Sequence, residues 1–354
     1  MNDDRSDALR EAVIGACEKR APLCIRGGGS KNFYGRTPQG ELLDVAHHRG
    51  IISYEPTELT ITARCGTTLA TIEKTLAANN QMLAFEPPSY APSATIGGTV
   101  ATALAGPRRP YAGSVRDFLL GIRCINGEGK LLRFGGEVMK NVAGFDTFRL
   151  MAGAMGTLGV LLEVTFKVLP KPAHARTLIF ECDVAQAIAL MNRWAGRALP
   201  LSATAFDGKH LYARIEGSSA ALDAAERVLG GEIDAHGEEF WTSVREQQHA
   251  WFQRLDGPLW RISVPSATPP LPIVGSWFIE WGGAQRWLRT ALAPKFIREM
   301  CARSGGHATL FRSGDHSGSV FQPLTPALLR IHRNLKQAFD PHGILNPQRM
   351  YRDI

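Results

Sequence analysis

The feature that most constrains how this chain folds is a glycine loop at residues 26–30 (sequence RGGGS), together with the short distance from that loop to the next strand. Residues 22–25 predict a strand that runs into the loop, and residues 42–46 predict a second strand. A connection between parallel strands takes about a dozen or more residues and is usually helical. Because Gly35 and Pro38 interrupt the span, we expect no helix of that length there.

The glycine loop on its own has more than one interpretation. Three glycines without side chains allow successive backbone N–H groups to point together at an anion, of which phosphate is the natural example. Arg26 adds positive charge and Ser30 adds a hydroxyl donor. A flexible turn that binds nothing would use the same residues, so the loop alone does not decide between the two.

A nicotinamide-type dinucleotide site is a third interpretation of the loop. The spacing of Gly27 and Gly29 is typical of the start of that fingerprint, and Asp44 stands near the end of the following strand. The fingerprint also needs a helix after the loop and a third glycine. The span offers no room for the helix, and Asn32 occupies the third glycine position. The sequence therefore argues against a Rossmann domain.

A second cluster of small residues covers positions 93–102 (sequence SATIGGTVAT). Gly97 and Gly98 permit close approach of the backbone to a ligand, and Gly106 and Gly113 follow further along. Tight packing of a short helix against a sheet would explain one such pair of glycines. It explains less well two glycine clusters of similar chemistry in one chain.

With both clusters in view, the N-terminal half resembles the FAD-binding domain of the vanillyl-alcohol oxidase family, also called the PCMH type. The resemblance covers about residues 10–170 and depends on motifs that occur in order. They are RGGGS at 26–30, ATIGG at 94–98, YAGSVRD at 111–117, KNVAGFD at 140–146 and GTLGV at 156–160. Residues 340–347 (sequence DPHGILNP) resemble the segment with which this family returns to its flavin domain.

The resemblance implies an α+β fold in which a PCMH-type, two-lobed FAD-binding domain covers residues 1–172. The sequence PKP at its end is typical of a domain boundary. Residues 173–322 would form a reduced cap domain, and residues 323–354 a C-terminal segment that returns to the FAD domain. Within the cap, the order strand-helix-strand-strand-helix at 177–229 predicts a ferredoxin-like unit with an antiparallel sheet.

The same resemblance implies which residues hold the cofactor. The first loop would bind the pyrophosphate, the second cluster and the glycines after it would line the flavin and its ribityl chain, and two further residues would lie beside the adenine or the ring system. In chain order these residues are Arg26, Gly27, Gly28, Gly29, Ser30, Lys31, Ile96, Gly97, Gly98, Thr102, Gly106, Gly113, Val160 and Asn346. Some members of the family attach their flavin through a histidine in the first loop or a cysteine in a later one. Here Ser30 stands in the first place and no cysteine lies beside Gly113, so we expect noncovalent FAD.

The catalytic motifs of the family are incomplete in this chain. Catalytic relatives carry a His-x-Gly-Asp-Gly-Asn-x-His segment, and the corresponding stretch at 312–319 reads RSGDHSGS, with Arg312 and Ser319 in place of the histidines. His307 and His316 are better explained as structural or loop residues than as a base. The run GAMGTLG at 153–159 also lacks the acid of active relatives. The sequence therefore leaves the catalytic residue unknown and predicts no metal ligand.

The composition limits which metal centres, binding partners and cellular locations we expect. The six cysteines form no Cys-x-x-Cys pair, which argues against a zinc site or an iron–sulfur cluster in this chain. The net charge of +7 is not concentrated in a polybasic block, so we expect no nucleic-acid binding. The polar start and the lack of a long apolar run predict a cytoplasmic protein, with any association with the inner membrane made through partners.

Within its family the chain is most similar to the FAD-binding subunits of three-subunit glycolate oxidases. That likeness implies oxidation of glycolate, a small 2-hydroxy acid, to glyoxylate together with a sister FAD subunit and an iron–sulfur subunit that carries the electrons away. A second interpretation is a structural subunit, in which FAD holds the fold and the sister flavoprotein does the chemistry. A third is a stand-alone flavin-dependent 2-hydroxy acid oxidase with an unfamiliar base.

Overall fold

The computed structural model describes residues 3–136, 145–254 and 256–354. By its internal contacts the chain divides into two compact units. The first comprises Met1–Leu104, Ser114–Pro170 and Ser317–Ile354, and the second comprises Ala105–Gly113 and Lys171–His316. This division differs from the predicted domains chiefly in residues 105–113, which belong to the second unit because Arg108 pairs there with Glu216.

The first unit combines short helices with an antiparallel sheet. Its helices are α1 (Ser6–Lys19), α2 (Leu69–Ala77), α3 (Ile96–Thr102), α5 (Val115–Phe118) and α11 (Pro326–Phe339), with a 3-10 helix at Thr147–Met151. Its strands are β1 (Leu23–Arg26), β2 (Glu41–Asp44), β3 (Ile51–Glu55), β4 (Thr60–Arg64), β5 (Gln81–Met82), β6 (Leu119–Ile125), β7 (Leu131–Gly135), β8 (Val160–Lys167) and β9 (Leu169–Pro170). Residues 87–114 contain α3 and, in the second unit, the short helix α4 (Arg109–Ala112).

The main sheet of the first unit has the strand order β3-β4-β8-β6-β7, and every neighbouring pair is antiparallel. Strands β6 and β7 form a hairpin around Asn126-Gly127. Behind the sheet lies an apolar core in which Phe85 packs against Phe118 and Phe166. Helix α2 begins after Thr68, whose hydroxyl accepts a hydrogen bond from the Thr71 N–H and so caps the helix.

Strands β1 and β2 form a separate pair, and that pair is parallel. As the sequence predicts, residues 27–40 contain no helix. The chain therefore makes a parallel connection through an irregular loop, which is an unusual solution because loop carbonyls lack the partners that a helix would supply. Here the Arg349 guanidinium donates hydrogen bonds to the carbonyls of Asn32 and Tyr34. It thereby supplies hydrogen-bond partners that a helix would otherwise have provided.

The C-terminal segment is tied to the first unit through a buried ion pair. The Lys336 ammonium on α11 lies 2.7 Å from the Asp340 carboxylate and donates hydrogen bonds to the carbonyls of Thr157 and Leu345. The Asp340 carboxylate in turn accepts hydrogen bonds from the backbone N–H groups of Ile344 and Leu345. Both charged groups are therefore desolvated and fully partnered, which is the condition under which a buried pair is tolerated.

The second unit is built on one large sheet. Its strands are β10 (His174–Glu181), β11 (Leu201–Phe206), β12 (His210–Gly217), β13 (Glu232–Ile233), β14 (Leu259–Ser263), β15 (Ser276–Glu280), β16 (Gln285–Arg289) and β17 (His307–Arg312). Its helices, besides α4, are α6 (Val184–Ala195), α7 (Ser219–Leu229), α8 (Gly237–Arg245), α9 (Ala250–Gln253) and α10 (Pro294–Arg303), with a 3-10 turn at Trp281–Gly283.

The order of this sheet, β13-β10-β12-β11-β15-β16-β14-β17, shows two halves of the same design, with all pairs antiparallel. In the first half, β10-α6-β11-β12-α7-β13 has the ferredoxin-like arrangement that the sequence predicts. In the second half, β14-β15-β16-α10-β17 repeats the strand order of the first. The repeat has no helix between β14 and β15, and it carries no repeated sequence.

No described helix is both long enough and apolar enough to cross a membrane.

The buried ion pair makes a prediction about stability. Lys336→Met or Asp340→Asn leaves one charge buried without its partner, so we expect each to destabilise the first unit by about 3–5 kcal/mol. The double variant should lose less than the sum of the two, because neither charge is then left alone. Urea denaturation followed by circular dichroism measures the three values. Lys295→Met removes an exposed lysine and serves as the control, while strictly additive losses would contradict the pairing.

Candidate functional site

The glycine loop follows β1 directly and packs against the second small-residue cluster. A Cβ added to Gly28 would lie 1.4 Å from the Ser93 carbonyl oxygen, and one added to Gly27 would lie 2.5 Å from the Thr95 hydroxyl. The Ser93 hydroxyl donates a hydrogen bond of 2.6 Å to the Gly28 carbonyl. The two clusters that the sequence analysis singled out therefore touch each other, and glycine is needed where they meet.

The loop presents polar hydrogens that the protein itself does not use. Within the described residues, the backbone N–H groups of Gly28, Gly29 and Ser30 donate no hydrogen bond. Gly29 has a φ of 72°, a left-handed conformation that turns the chain at this point. Successive N–H groups that point out of such a turn bind anions, and phosphate suits them well.

The second wall of the site is the N-terminal end of α3. The Thr95 hydroxyl caps this helix by accepting a hydrogen bond from the Gly98 N–H, and the Thr102 hydroxyl donates back to the Gly98 carbonyl. A Cβ on Gly97 would lie 2.6 Å from the Cβ of Cys65, so this glycine allows α3 to pack directly on the end of β4. The capped N-terminal end of α3 therefore forms a rigid second wall of the site.

The third wall joins two remote parts of the chain through one side chain. The Asn346 amide oxygen accepts a 2.7 Å hydrogen bond from the Ile25 N–H, and its amide nitrogen donates one of 2.7 Å to the Met155 carbonyl. Gly156 leaves room for this amide, since a Cβ there would lie 2.6 Å from the Asn346 nitrogen. Asn346 is buried and therefore fixes the distance between β1 and the segment at Met155 and Gly156.

These walls enclose what we call the glycine-loop cavity, of about 110 Å³. Its lining comes from residues 25–32, Val45, Cys65, positions between 95 and 102, positions between 155 and 161, Asn346 and Arg349. Pockets for drug-sized ligands enclose about 300–1,000 Å³. The cavity is therefore smaller than a site for a whole drug-sized ligand, and its N–H groups suit an anionic group such as phosphate.

The structure brings together most of the residues that the sequence singled out. Those on the glycine-loop cavity are Arg26, Gly27, Gly28, Gly29, Ser30, Lys31, Gly97, Gly98, Thr102 and Asn346. Ile96 and Val160 are instead buried in the core. Gly106 and Gly113 belong to the second unit, where the Trp281 indole donates a hydrogen bond to the Gly106 carbonyl. Most of the predicted motif at 140–146 lies outside the described residues.

Eleven of the lining residues were not among the predicted cofactor contacts, and Cys65, Met155 and Arg349 are three of them. Arg349 follows the predicted Asn346 closely, but nothing in its spacing indicates that its side chain turns back toward the loop. Cys65 closes a strand pattern and looks like an ordinary core thiol. Burial, with the nearby Glu163 carboxylate and Cys124, raises the pKa of the Cys65 thiol well above its ordinary value. The thiol therefore stays neutral and is a poor nucleophile.

The residues discussed as catalytic candidates offer no assembled base. Burial and the positive charge of Arg261 lower the pKa of His307 on β17, so this imidazole is neutral at physiological pH. Arg312 ends the same strand, and its guanidinium lies 5.9 Å from the Phe311 ring. The loop after it, 313–319, is mostly exposed.

Two family matches cover separate parts of the chain. Residues 4–135 match the family described as FAD binding domain, and residues 316–350 match the C-terminal domain of FAD linked oxidases. The glycine loop and the second cluster lie in the first match, and Asn346 and Arg349 lie in the second. The walls of the cavity are therefore drawn from both matched regions.

Individual proteins match over the whole chain or over about half of it. The chain is 49% identical over 351 residues to glycolate oxidase subunit GlcE of Escherichia coli (strain K12), with 99% of each chain covered. It is 32% identical over 175 residues to glycolate oxidase subunit GlcD of the same strain, which covers 49% of this chain and 35% of that subunit.

A solved structure of p-cresol methylhydroxylase superposes with a TM-score of 0.77 at 14% identity, covering 98% of this chain and 87% of that one. At this identity the likeness concerns the fold alone. It confirms the predicted α+β fold of the PCMH type.

The close packing of the glycine loop gives a test of the site. Gly28→Ala places a methyl group against the Ser93 carbonyl, so the loop must move, and we expect the purified variant to lose most of its flavin. Gly15→Ala is the matched control, because nothing lies within 4 Å of a Cβ at this position in α1. It should keep its flavin and gain about 0.5–1 kcal/mol of stability. Flavin absorbance per chain measures both, and full flavin content in Gly28→Ala would contradict the assignment.

Proposed function

This chain belongs to the family of FAD-linked oxidases, and from that premise we propose that it is the FAD-binding subunit of a multi-subunit glycolate oxidase. The observation that carries the proposal is the end-to-end similarity to GlcE. That similarity confirms the predicted resemblance, and FAD is the cofactor that the matched family binds. The reaction is the oxidation of a small 2-hydroxy acid, glycolate, to glyoxylate.

The cavity suits the phosphate end of FAD in charge and in shape. The free N–H groups of the loop would receive the pyrophosphate oxygens, while Arg26 and Lys31 supply positive charge beside them. Lys31 is largely buried, with its ammonium near the Ser89 carbonyl and 5.7 Å from the Tyr90 ring, so its charge is held in place. When bound, FAD accepts the electron pair that the substrate loses.

The flavin is bound without a covalent link in this proposal. Neither a histidine nor a cysteine stands in the first loop, where Ser30 takes that place. Cys65 does line the cavity, but its thiol is held neutral by burial. A neutral thiol attacks poorly, and this supports a cofactor that dissociates when the protein unfolds.

The partners follow from the printed names of the relatives and from chemistry. GlcE and GlcD of one Escherichia coli strain are both called subunits of glycolate oxidase, so we propose that a sister FAD subunit assembles with this chain. We place the iron–sulfur centres that carry electrons away on a further subunit. We also propose a cytoplasmic location, with contact to the inner membrane made through partners.

In this proposal, oxidation of the substrate also depends on the partner subunits. Arg312 and Ser319 stand where catalytic relatives carry histidines, and His307 is neutral and desolvated. This favours turnover by the assembled complex over turnover by the isolated chain. The same observations also fit a second candidate function, that of a structural subunit in which FAD stabilises the fold.

The flavin itself is the first test. We expect purified chain to show flavin absorbance, and acid precipitation to release that flavin into the supernatant, because no bond retains it. Protein that never contains flavin would refute the proposal. Flavin that stays with the acid pellet would refute only its noncovalent part.

The second test separates a redox role from a structural one. The complex is purified from native extract, and its flavin and iron are counted per assembly. We expect a complex that carries Gly28→Ala in this subunit to lose one flavin and most of its glycolate oxidation. Full activity after that loss would favour the structural role, and reduction of the isolated chain by glycolate would favour a stand-alone oxidase.

A further inference from the structure

One stretch of the C-terminal segment, residues 344–349, holds the chain on both sides of the glycine loop. On the near side, the Leu23 N–H donates to the Ile344 carbonyl and the Asn346 N–H donates to the Leu23 carbonyl. A parallel bridge between Leu23 and Leu345 continues this pairing. The stretch thus adds a short strand to β1, immediately before the chain enters the loop.

On the far side of the loop, Arg349 makes the contacts. Its guanidinium donates hydrogen bonds of 3.0 Å and 2.6 Å to the carbonyls of Asn32 and Tyr34, and a further one to the Arg36 carbonyl. The Arg36 N–H donates back to the Arg349 carbonyl. Arg349 is only 6% exposed, so these carbonyls have little access to water as an alternative partner.

The loop that Arg349 holds is the one that lacks a helix. Residues 27–40 return the chain to a parallel strand without regular hydrogen bonds of their own. The shape of this return decides where the N–H groups of Gly28, Gly29 and Ser30 point. A side chain that binds the carbonyls of three alternate residues of the return, at positions 32, 34 and 36, therefore also sets the direction of the anion-binding groups.

Arg349 also lines the glycine-loop cavity itself. Burial lowers the pKa of its guanidinium to about 10, which still leaves it charged at physiological pH. A buried cation beside an anion-binding loop is stabilised when an anion arrives. The position of Arg349 is therefore sensitive to whether phosphate groups are bound.

From these contacts we propose that Arg349 is a positioning residue for the cofactor. It clamps residues 32–36 so that the glycine loop is shaped for the FAD pyrophosphate, and bound FAD in turn holds the C-terminal segment in place. Docking of the C-terminal segment and binding of FAD thus stabilise each other, because a coupling between two binding events is reciprocal. The proposal rests on FAD binding in this cavity and not on the substrate of the enzyme.

The test compares FAD binding by the full chain and its Arg349 variants. Flavin is removed from each protein, FAD is added back, and the dissociation constant is read from flavin fluorescence. We expect Arg349→Met to weaken FAD binding by at least about tenfold, the effect of losing charged hydrogen bonds. Arg349→Lys should be intermediate, since an ammonium keeps the charge but cannot reach three carbonyls in a fixed fork. Arg330→Met, an exposed arginine on α11, is the control and should bind FAD as the wild type does.

A second readout separates positioning from simple stabilisation of the fold. Saturating FAD raises the melting temperature by an amount that depends on its affinity. A positioning role predicts that this FAD-dependent rise shrinks in Arg349→Met. A purely structural role predicts that the melting temperatures with and without FAD fall by the same amount, and that result would overturn the proposal.

Hydrogen exchange tests the reciprocal effect. We expect the backbone amides of residues 344–349 to exchange more slowly when FAD is added to the wild type, and this protection to be lost in Arg349→Met. Protection that is the same with and without FAD would refute the coupling. A wild type that binds no FAD at all would instead refute the proposed function, so the two failures can be told apart.

Discussion

The side-chain amide of Asn346 is the interaction on which the cofactor site depends most directly. An amide is one of the few neutral groups that accepts and donates at once, and here it accepts from Ile25 and donates to Met155. Both of these backbone groups lie on the cavity, and they come from segments far apart in the chain. Loss of the amide would leave a buried N–H and a buried carbonyl without partners, which costs about 1–3 kcal/mol for each group. The ion pair of Lys336 and Asp340 brings this residue into position from the helix before it.

The glycines of the site allow both close packing of the backbone and close approach of a ligand. The packing explanation and the ligand-binding explanation of these glycines are therefore compatible. Gly28 meets Ser93, Gly97 meets Cys65, and Gly156 meets Asn346, each at a distance that no Cβ could occupy. Because the walls touch in this way, the N–H groups of the loop are set by the same contacts that hold the core together. A site built by close packing is rigid, and rigid donors need little reorganisation when an anion binds.

Local patterns in the sequence predict much of this fold, and long-range contacts explain what they miss. Helix α6 lies within the predicted strand-helix-strand-strand-helix order, and its start is marked locally by the Asp183 cap, because capping residues and apolar spacing act within a few positions. Strands β16 and β17 were not predicted. In β16 every residue is buried, so the strand lacks the alternation of buried and exposed positions by which a half-buried strand is recognised. The ten residues gathered on the cavity came from a family resemblance. Arg349 was missed because its role exists only after the chain has folded back on residues 32–36.

Cofactor binding and substrate chemistry rest on different kinds of residue in this chain. The cavity is made of closely packed glycines and a buried amide, and a change at any of them disturbs packing. The stretch at 312–319, where relatives carry histidines, is mostly exposed, and exchanges of exposed residues usually alter stability by no more than about 0.5 kcal/mol. The chain can therefore keep its flavin while lacking catalytic histidines of its own. A second protein would have to supply the missing groups, which is why we propose a complex with a second flavoprotein.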